Sequence, residues 1–267
     1  MENDVKVSII MAVYNAQDTV SRAIESMLGQ TFKEIEIIAV DDCSTDKSYE
    51  LLLEWAKKEP KVRVFRNEKN MYIGHTYNKG LKAAKGEFLA MQDSDDTSAI
   101  DRIEKQYNFL LANKQYGWVG SGLNILNDNG ESIGKRTSKA EPVIEDFLWG
   151  TCFSNATVMF RAEMIRHLNY YSEREDTKRV EDYDLWMRAY QAGYKGYNLS
   201  ECLYNYYEGD ATLSHRRYKY RINEAKIRYR NYKKLKLMPK GYIYTLKPLV
   251  VGLLPKRFIQ KLNTVRK

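Results

Sequence analysis

The stretch Gly86-Glu-Phe-Leu-Ala-Met-Gln-Asp-Ser-Asp-Asp96 decides how this chain is read. Phe88, Leu89, Ala90 and Met91 are consecutive apolar residues, as in a strand covered on both faces of a parallel sheet. The run then meets Asp93, Asp95 and Asp96, which a buried strand cannot absorb. The same design recurs upstream. Val5-Lys-Val-Ser-Ile-Ile-Met-Ala12 is a short apolar run followed by Tyr14-Asn15, and Ile35-Glu-Ile-Ile-Ala-Val40 stops at Asp41-Asp42. Val62-Arg-Val-Phe-Arg66 is a further strand. Between these runs lie helical patterns. Asp18 is the expected N-cap of the first, with Val20, Ile24, Met27 and Leu28 at helical spacing and Gly29 as its stop. The second runs through Leu51, Leu52 and Trp55. The third covers 74–85, with Tyr77, Leu81 and Ala84 on one face.

Strands alternating with helices imply a doubly wound, mainly parallel α/β sheet. Ligands of such sheets collect outside the carboxyl ends of the strands. Tyr14-Asn15, Asp41-Asp42 and Asp93-Ser94-Asp95 stand at such ends and are expected to converge on one crevice. After residue 100 the alternation loosens. A helix over 101–113 leads to a strand at Trp118–Leu126, the turn signal Asn127-Asp-Asn-Gly130 and a returning strand up to Arg136. Ala156-Thr-Val-Met-Phe-Arg161 is another strand, and 180–192 a helix rich in Asp, Tyr and Trp. This second half is expected to form a smaller mixed sheet.

The chain's 267 residues can bury a sizeable core. Cys43, Cys152 and Cys202 are far apart and odd in number, so they are read as buried thiols in a reducing compartment. The acidic start, running straight into a strand, argues against a signal peptide. The net charge of +8 is unevenly divided: residues 215–267 hold 17 of the 43 Lys and Arg but one of the 35 acids, a local +16 that leaves −8 on residues 1–214. The basic segment is expected to meet an anionic surface.

No G-x-G-x-x-G follows the first strand, and there is no G-x-x-x-x-G-K-[ST], so a dinucleotide dehydrogenase and a P-loop NTPase are poorly supported. Phosphates in this crevice need neutralising some other way. Two carboxylates one residue apart at a strand end can hold Mg²⁺ or Mn²⁺, which in turn bridges a diphosphate. A polar turn, with Asp96 capping the next helix, is the alternative. The second acidic pair at a neighbouring strand end favours the metal.

Val7-Ser-Ile-Ile-Met-Ala-Val-Tyr-Asn15, Gln30-Thr31-Phe32, Val40-Asp-Asp-Cys-Ser-Thr-Asp46, Gly86-Glu-Phe-Leu, Asp93-Ser-Asp-Asp96 and Glu181-Asp-Tyr-Asp-Leu-Trp186 stand in order within about residues 5–215. This ordered set resembles the family 2 glycosyltransferases with the GT-A fold. The resemblance implies one domain with a nucleotide-sugar-binding half (1–100) and an acceptor-binding half (101–214). It implies that Ala12 and Tyr14 line the base and ribose, and that Asp42 accepts a hydrogen bond from the uracil imide. Asp93 would approach the ribose or the metal shell, and Asp95 would ligate Mn²⁺ or Mg²⁺ directly. Asp182 resembles the family's general base, deprotonating the acceptor hydroxyl as it attacks the anomeric carbon, with inversion. Helix N-terminal acids favoured by the macrodipole are the alternative for Glu181-Asp182. Trp186, as core or as a stacking platform, joins Glu181 on the acceptor side. Asn155 stands where many relatives carry His. Tyr204-Asn-Tyr-Tyr-Glu-Gly-Asp210 lacks the family's Tyr-Arg-x-His, leaving His215 or Arg216 as substitutes.

The implied activity moves a hexose or N-acetylhexosamine from a UDP-sugar to a lipid-linked glycan or glycolipid hydroxyl in surface polysaccharide (capsule-type) synthesis. A sugar nucleotidyltransferase would need a Gly-rich basic loop where Tyr14-Asn-Ala-Gln17 stands. A fold that binds sugar nucleotide without turnover is the third reading. In the tail, 216–235 reads as an amphipathic helix with a stripe of Tyr218, Ile222, Ala225, Tyr229, Tyr232 and Leu235, able to pack on the body or lie on a membrane. The apolar segment 242–255 is too short and broken to span a bilayer. The expectation is peripheral attachment of a cytoplasmic protein to the inner membrane face through 215–267, without nucleic acid. The aromatic tail could also serve a homodimer.

Overall fold

The computed structural model describes residues 5–208 and 218–253; His215, Arg216 and the last fourteen residues lie outside them. The first half follows the alternation: β1 (Val7–Val13), α1 (Val20–Leu28), β2 (Ile35–Asp41), α2 (Ser48–Lys58), β3 (Val62–Arg66), α3 (Tyr72–Ala83) and β4 (Phe88–Met91). A two-residue β5 (Thr97–Ser98) and α4 (Arg102–Ala112) lead to β6 (Trp118–Leu126), β7 (Ser132–Arg136), β8 (Met159–Arg161), α5 (Ala162–His167), α6 (Glu181–Gln191) and β9 (Gly196–Tyr207). Two helices follow, α7 (Tyr218–Lys234) and α8 (Gly241–Leu253).

The strands join in the order β3-β2-β1-β4-β8-β6-β9-β5, with β7 on β6. β3, β2, β1 and β4 pair in parallel. β8 runs antiparallel to β4, and β6 antiparallel to β8 but parallel to β9. The mixed strands of the second half thus continue the parallel sheet and do not form a separate smaller one. The chain leaves β1 through β2 to β3 on one side and returns to place β4 on the other. That reversal beside β1 is where open α/β sheets form a ligand crevice.

Alternate residues of each central strand feed two cores. Ile10, Ile38, Val40, Leu89 and Met91 face α3, α6 and α7, while Ile9, Met11, Val13, Ile37 and Ala39 pack with residues of α1, α2 and α4. Burial of both faces explains why these strands read as continuous apolar runs.

Several local expectations need correction. Thr19, not Asp18, takes the N-cap position of α1, and no side chain caps it. The three cysteines are free, as expected, but half-buried rather than buried. In the tail, Ala225, Tyr232 and Leu235 of the expected stripe are buried, whereas Tyr218, Ile222 and Tyr229 are exposed. The face that packs on the body includes Arg228 and Asn231 instead. Arg228 donates to Leu148 O at 2.9 Å, Asn231 donates to Asp184 Oδ1 at 3.1 Å, and Tyr232 donates to Phe147 O at 2.8 Å. Hydrogen bonds let polar side chains occupy a buried helix face, so the apolar pattern misjudged its direction. Among the described residues no helix is long and apolar enough to cross a membrane.

Candidate active site

Parallel register brings the polar strand ends side by side. Val13 pairs with Asp41, Asp42 donates its N–H to Val13 O at 2.8 Å, and Gln92 donates its N–H to Ile10 O at 3.0 Å. The strand ends that carry Tyr14, Asp42 and Asp93 therefore lie side by side, as expected. The loops after β1 and β2 lock together: Asn15 N–H donates to Ser44 Oγ (3.0 Å), and Asn15 Oδ1 accepts from Thr45 N–H (2.9 Å). Asn15 and Cys43 pay for these tight turns with φ of 50° and 60°. Ala12 is half-buried at the end of β1, and Tyr14 is 48% exposed, free to line an open crevice.

The two acids after β2 have separate roles. Asp41 is buried, pairs with Arg66 Nε at 3.0 Å and accepts from Ser44 N–H, a structural turn. Asp42 Oδ1 accepts from Asn67 Nδ2 and Met71 N–H, each at 2.8 Å. Both of these bonds fall on Oδ1.

The acidic turn after β4 rests on a buried polar network. Gln92 Nε2 donates to the carbonyls of Asp93 (3.1 Å) and Asp96 (3.0 Å), and Gln92 Oε1 accepts from Arg102 and Ser98. Arg102, fully buried, also donates to Ser98, Gln106, Met91 O and Ala156 O. A charge this buried needs such satisfaction. Asp93 Oδ1 accepts from Tyr77 Oη at 2.9 Å, and its N–H donates to Tyr204 Oη at 3.2 Å. Arg22 of α1 stacks 3.7 Å from the Tyr207 ring centroid and donates to Asp95 O at 2.8 Å.

Asp93, Asp95 and Asp96 each place a carboxylate oxygen within 4.8 Å of the others. Asp96 is therefore no helix cap: Asp101 stands at the N-cap position of α4. It is 1% exposed, its Oδ1 accepts from Tyr207 N–H at 2.8 Å, and its buried Oδ2 meets no partner at hydrogen-bond geometry among the described residues. Burial, then the neighbouring Asp93 and Asp95 charges, raises the Asp96 carboxyl to about 8. Burial and Asp95 raise Asp93 to about 6, against the pull of Tyr77 and Arg102, with Asp182 adding to the rise. Asp95 is exposed at the surface of the turn, and desolvation by its neighbours still raises it against the pull of Arg22. Clustered carboxyls that resist ionisation and include an unsatisfied oxygen form an all-oxygen donor set, which fits a hard divalent cation.

The residues expected on the acceptor side lie on α6 and the segments before it. Asp182, in the first turn of α6, accepts from Tyr183 N–H at 2.7 Å and is raised by burial to about 6. Burial raises the adjacent Glu181 to about 7. Asn155 Oδ1 accepts from Tyr171 Oη at 2.6 Å. Burial first, and then the charges of Asp182, Asp93 and Glu181, hold the Tyr171 hydroxyl protonated. Trp186 is the exception and corrects the stacking expectation. It is 0% exposed, stacked between Trp118 (5.1 Å) and Phe160 (5.5 Å). A Cβ on Gly196 would stand 2.1 Å from the Trp118 ring, so even the glycine there serves this aromatic core.

Sequence reasoning missed Tyr77, Tyr171, Tyr204, Gln92 and Arg102. Only the last left a trace: Arg102 and Gln106 share a helix face with Ile103 and Leu110, a polar pair where apolar residues are expected.

Fold and site together define a GT-A glycosyltransferase. The glycosyl transferase family 2 model matches residues 8–168, and the chain belongs to that family. It is 34% identical over its whole length, and 96% of the relative's, to the putative glycosyltransferase EpsE of Bacillus subtilis. It is 28% identical to the putative teichuronic acid biosynthesis glycosyltransferase TuaG of the same organism, over 80% of this chain and 83% of the relative. The crystal structure of S. aureus TarS 1-349 in complex with UDP-GlcNAc superposes with a TM-score of 0.69 at 21% identity, covering 93% of this chain and 71% of that one.

Proposed function

We propose that this chain is an inverting transferase that moves a hexose or N-acetylhexosamine from a UDP-sugar to a hydroxyl of a lipid-linked glycan in surface polysaccharide synthesis. One observation carries the reading: helix α3 bonds Asp93 of the acidic turn through Tyr77 at 2.9 Å, and at Gly74 the same helix comes within contact of Glu181, the neighbour of Asp182. The teichuronic acid relative and the UDP-GlcNAc complex of TarS support the polysaccharide context and the donor class.

Each residue then has a task. Ala12 and Tyr14 line the base and ribose, and Asp42 Oδ2 accepts from the uracil imide while Oδ1 stays anchored. Asp95, with Asp93 and Asp96, would hold Mn²⁺ or Mg²⁺, which supplies stabilisation of the diphosphate charge when bound. Asp182 takes the proton of the acceptor hydroxyl as that oxygen attacks the anomeric carbon from the face opposite the nucleotide, which inverts the configuration. Glu181 and Asn155 border the acceptor. Mn²⁺-dependent release of UDP from a panel of UDP-sugars tests the reading. It fails if Asp95→Ala and Asp182→Asn both leave the rate unchanged.

The acceptor class implies a membrane surface. Lys219, Ile222, Lys226, Tyr229 and Lys233 are exposed along α7 at helical spacing, with no acid among them. Ile243, Leu246, Val250 and Leu253 form an exposed apolar face on α8, packed beside α7 with the Tyr229 and Tyr242 rings 6.4 Å apart. An open concavity of about 670 Å³ is lined by Lys226, Tyr229, Arg230, Lys233 and Lys234. Cations beside apolar groups suit an anionic inner leaflet, at ~1 kcal/mol per basic residue near the surface. Sedimentation with phosphatidylglycerol vesicles is expected to lose most bound protein when Lys226, Lys233 and Lys234 become Glu. Unchanged sedimentation would end the membrane reading.

A further inference from the structure

Helix α3 touches the donor side and the acceptor side of the crevice from one face. Tyr77 donates to Asp93 Oδ1 at 2.9 Å. One residue on, Asn78 Oδ1 accepts from Tyr171 N–H at 3.0 Å, and Asn78 Nδ2 donates to Tyr171 O at 2.9 Å and Glu173 Oε1 at 2.7 Å. A turn earlier, a Cβ on Gly74 would stand 3.2 Å from Glu181 Cγ, so the helix approaches the acids of α6 closely. The Tyr77 and Tyr171 rings lie 5.4 Å apart, 3% and 2% exposed. Tyr171 passes its own hydroxyl to Asn155 Oδ1 at 2.6 Å.

We propose that Tyr77 and Tyr171 are positioning residues, and that α3 uses them as a strut setting the spacing between the nucleotide side and the acceptor side. Phenylalanine would fill the same buried volume. What the two hydroxyls add is direction: each is spent on a site residue, Asp93 or Asn155, and not on core backbone. The Tyr77 bond ties Asp93 Oδ1 on the nucleotide side, and the Tyr171 bond ties Asn155 Oδ1 on the acceptor side. Because the rings pack on each other, and Asn78 clamps the Tyr171 backbone, neither end can shift alone. The inference rests on the transferase reading above.

Two isosteric variants separate the ends. Full-length Tyr77→Phe is expected to weaken binding of UDP with Mn²⁺, measured by titration calorimetry, by about 10-fold, as for loss of a hydrogen bond to a charged group. Its kcat for UDP release from the best donor of the panel stays within about 2-fold of wild type. Tyr171→Phe is expected to do the reverse, with the calorimetric Kd within about 2-fold and kcat down by about 10-fold. Melting temperatures are taken alongside. Packing alone would lower them and move both parameters together in both variants. Parallel losses of that kind overturn the strut, as does either variant showing no change. A wild type that neither binds UDP with Mn²⁺ nor releases UDP from any donor overturns the transferase reading and the strut with it. An active wild type with unsplit variants overturns the strut alone.

Discussion

Asp182→Asn separates what the carboxylate does for chemistry from what it costs the fold. Burial is the largest influence on Asp182, with Glu224 of α7 acting in the same direction, and together they lift it from 3.8 to about 6 against the bonds from backbone N–H groups. Two pH units correspond to ~3 kcal/mol. The side chain is partly open to solvent, so ~1–2 kcal/mol survives screening. The sign follows from linkage. Below about pH 4 the group is protonated folded and unfolded, and it costs nothing. The penalty grows as pH rises between the two values and is complete above about 6. Asparagine keeps an acceptor for the Tyr183 N–H and drops the charge. The variant should therefore melt ~2–5 °C above wild type at pH 8 and level with it at pH 4. The same change removes the proposed base and should lower kcat by about 10²- to 10⁴-fold. Wild-type activity should fall roughly tenfold per pH unit below about 6. Thermal melts at the two pH values and UDP release from pH 5 to 8 make the test. A variant that keeps more than roughly a tenth of the rate, or a wild-type rate flat down to pH 5, refutes Asp182 as the base. A variant melting below wild type at pH 8 refutes the burial argument.

Three further outcomes are expected. Trp186→Ala should destabilise by ~3–5 kcal/mol in denaturant titration, while Trp186→Phe should keep donor and acceptor KM near wild type, since the ring meets other rings and not the crevice. Arg102→Met should cost ~3–5 kcal/mol on the same measurement, because it strands Gln92 and the carbonyls beneath the acidic turn. Asp96→Asn keeps the oxygen that accepts from Tyr207 N–H, yet should weaken Mn²⁺ binding by calorimetry, without nucleotide, by about tenfold or more. Unchanged affinity would remove Asp96 from the donor set.

The first half of the fold was legible because its signals are local. An apolar run of Phe88 to Met91, or of Ile35 to Val40, is buried on both faces wherever it sits, and right-handed crossovers then leave few ways to order parallel strands. Acids at the ends of such strands must meet at the sheet's carboxyl edge, so Asp42, Asp93 and Asp95 could be placed without coordinates. Period alone could not say which face of a helix wins. In α7 a hydrogen-bonded Arg228 and Asn231 took the buried side, leaving Tyr229 in solvent. Trp186 stands four residues from Asp182 in a motif whose ends have opposite fates, since one turn of helix carries it from the crevice into the aromatic core.

The acidic run after β4 was thus readable as a candidate cation site, and its partners were not. Which oxygens of Asp93, Asp95 and Asp96 come together, and that Asp96 joins them, depends on Gln92 and Arg102 gripping the turn from below. Tyr77 and Tyr171 are 94 positions apart in the chain and become neighbours only because β8 docks antiparallel on β4 and brings the segment after it over α3. The residue types and the strand ends belong to the sequence. Contacts between distant side chains follow from packing, which no local pattern encodes.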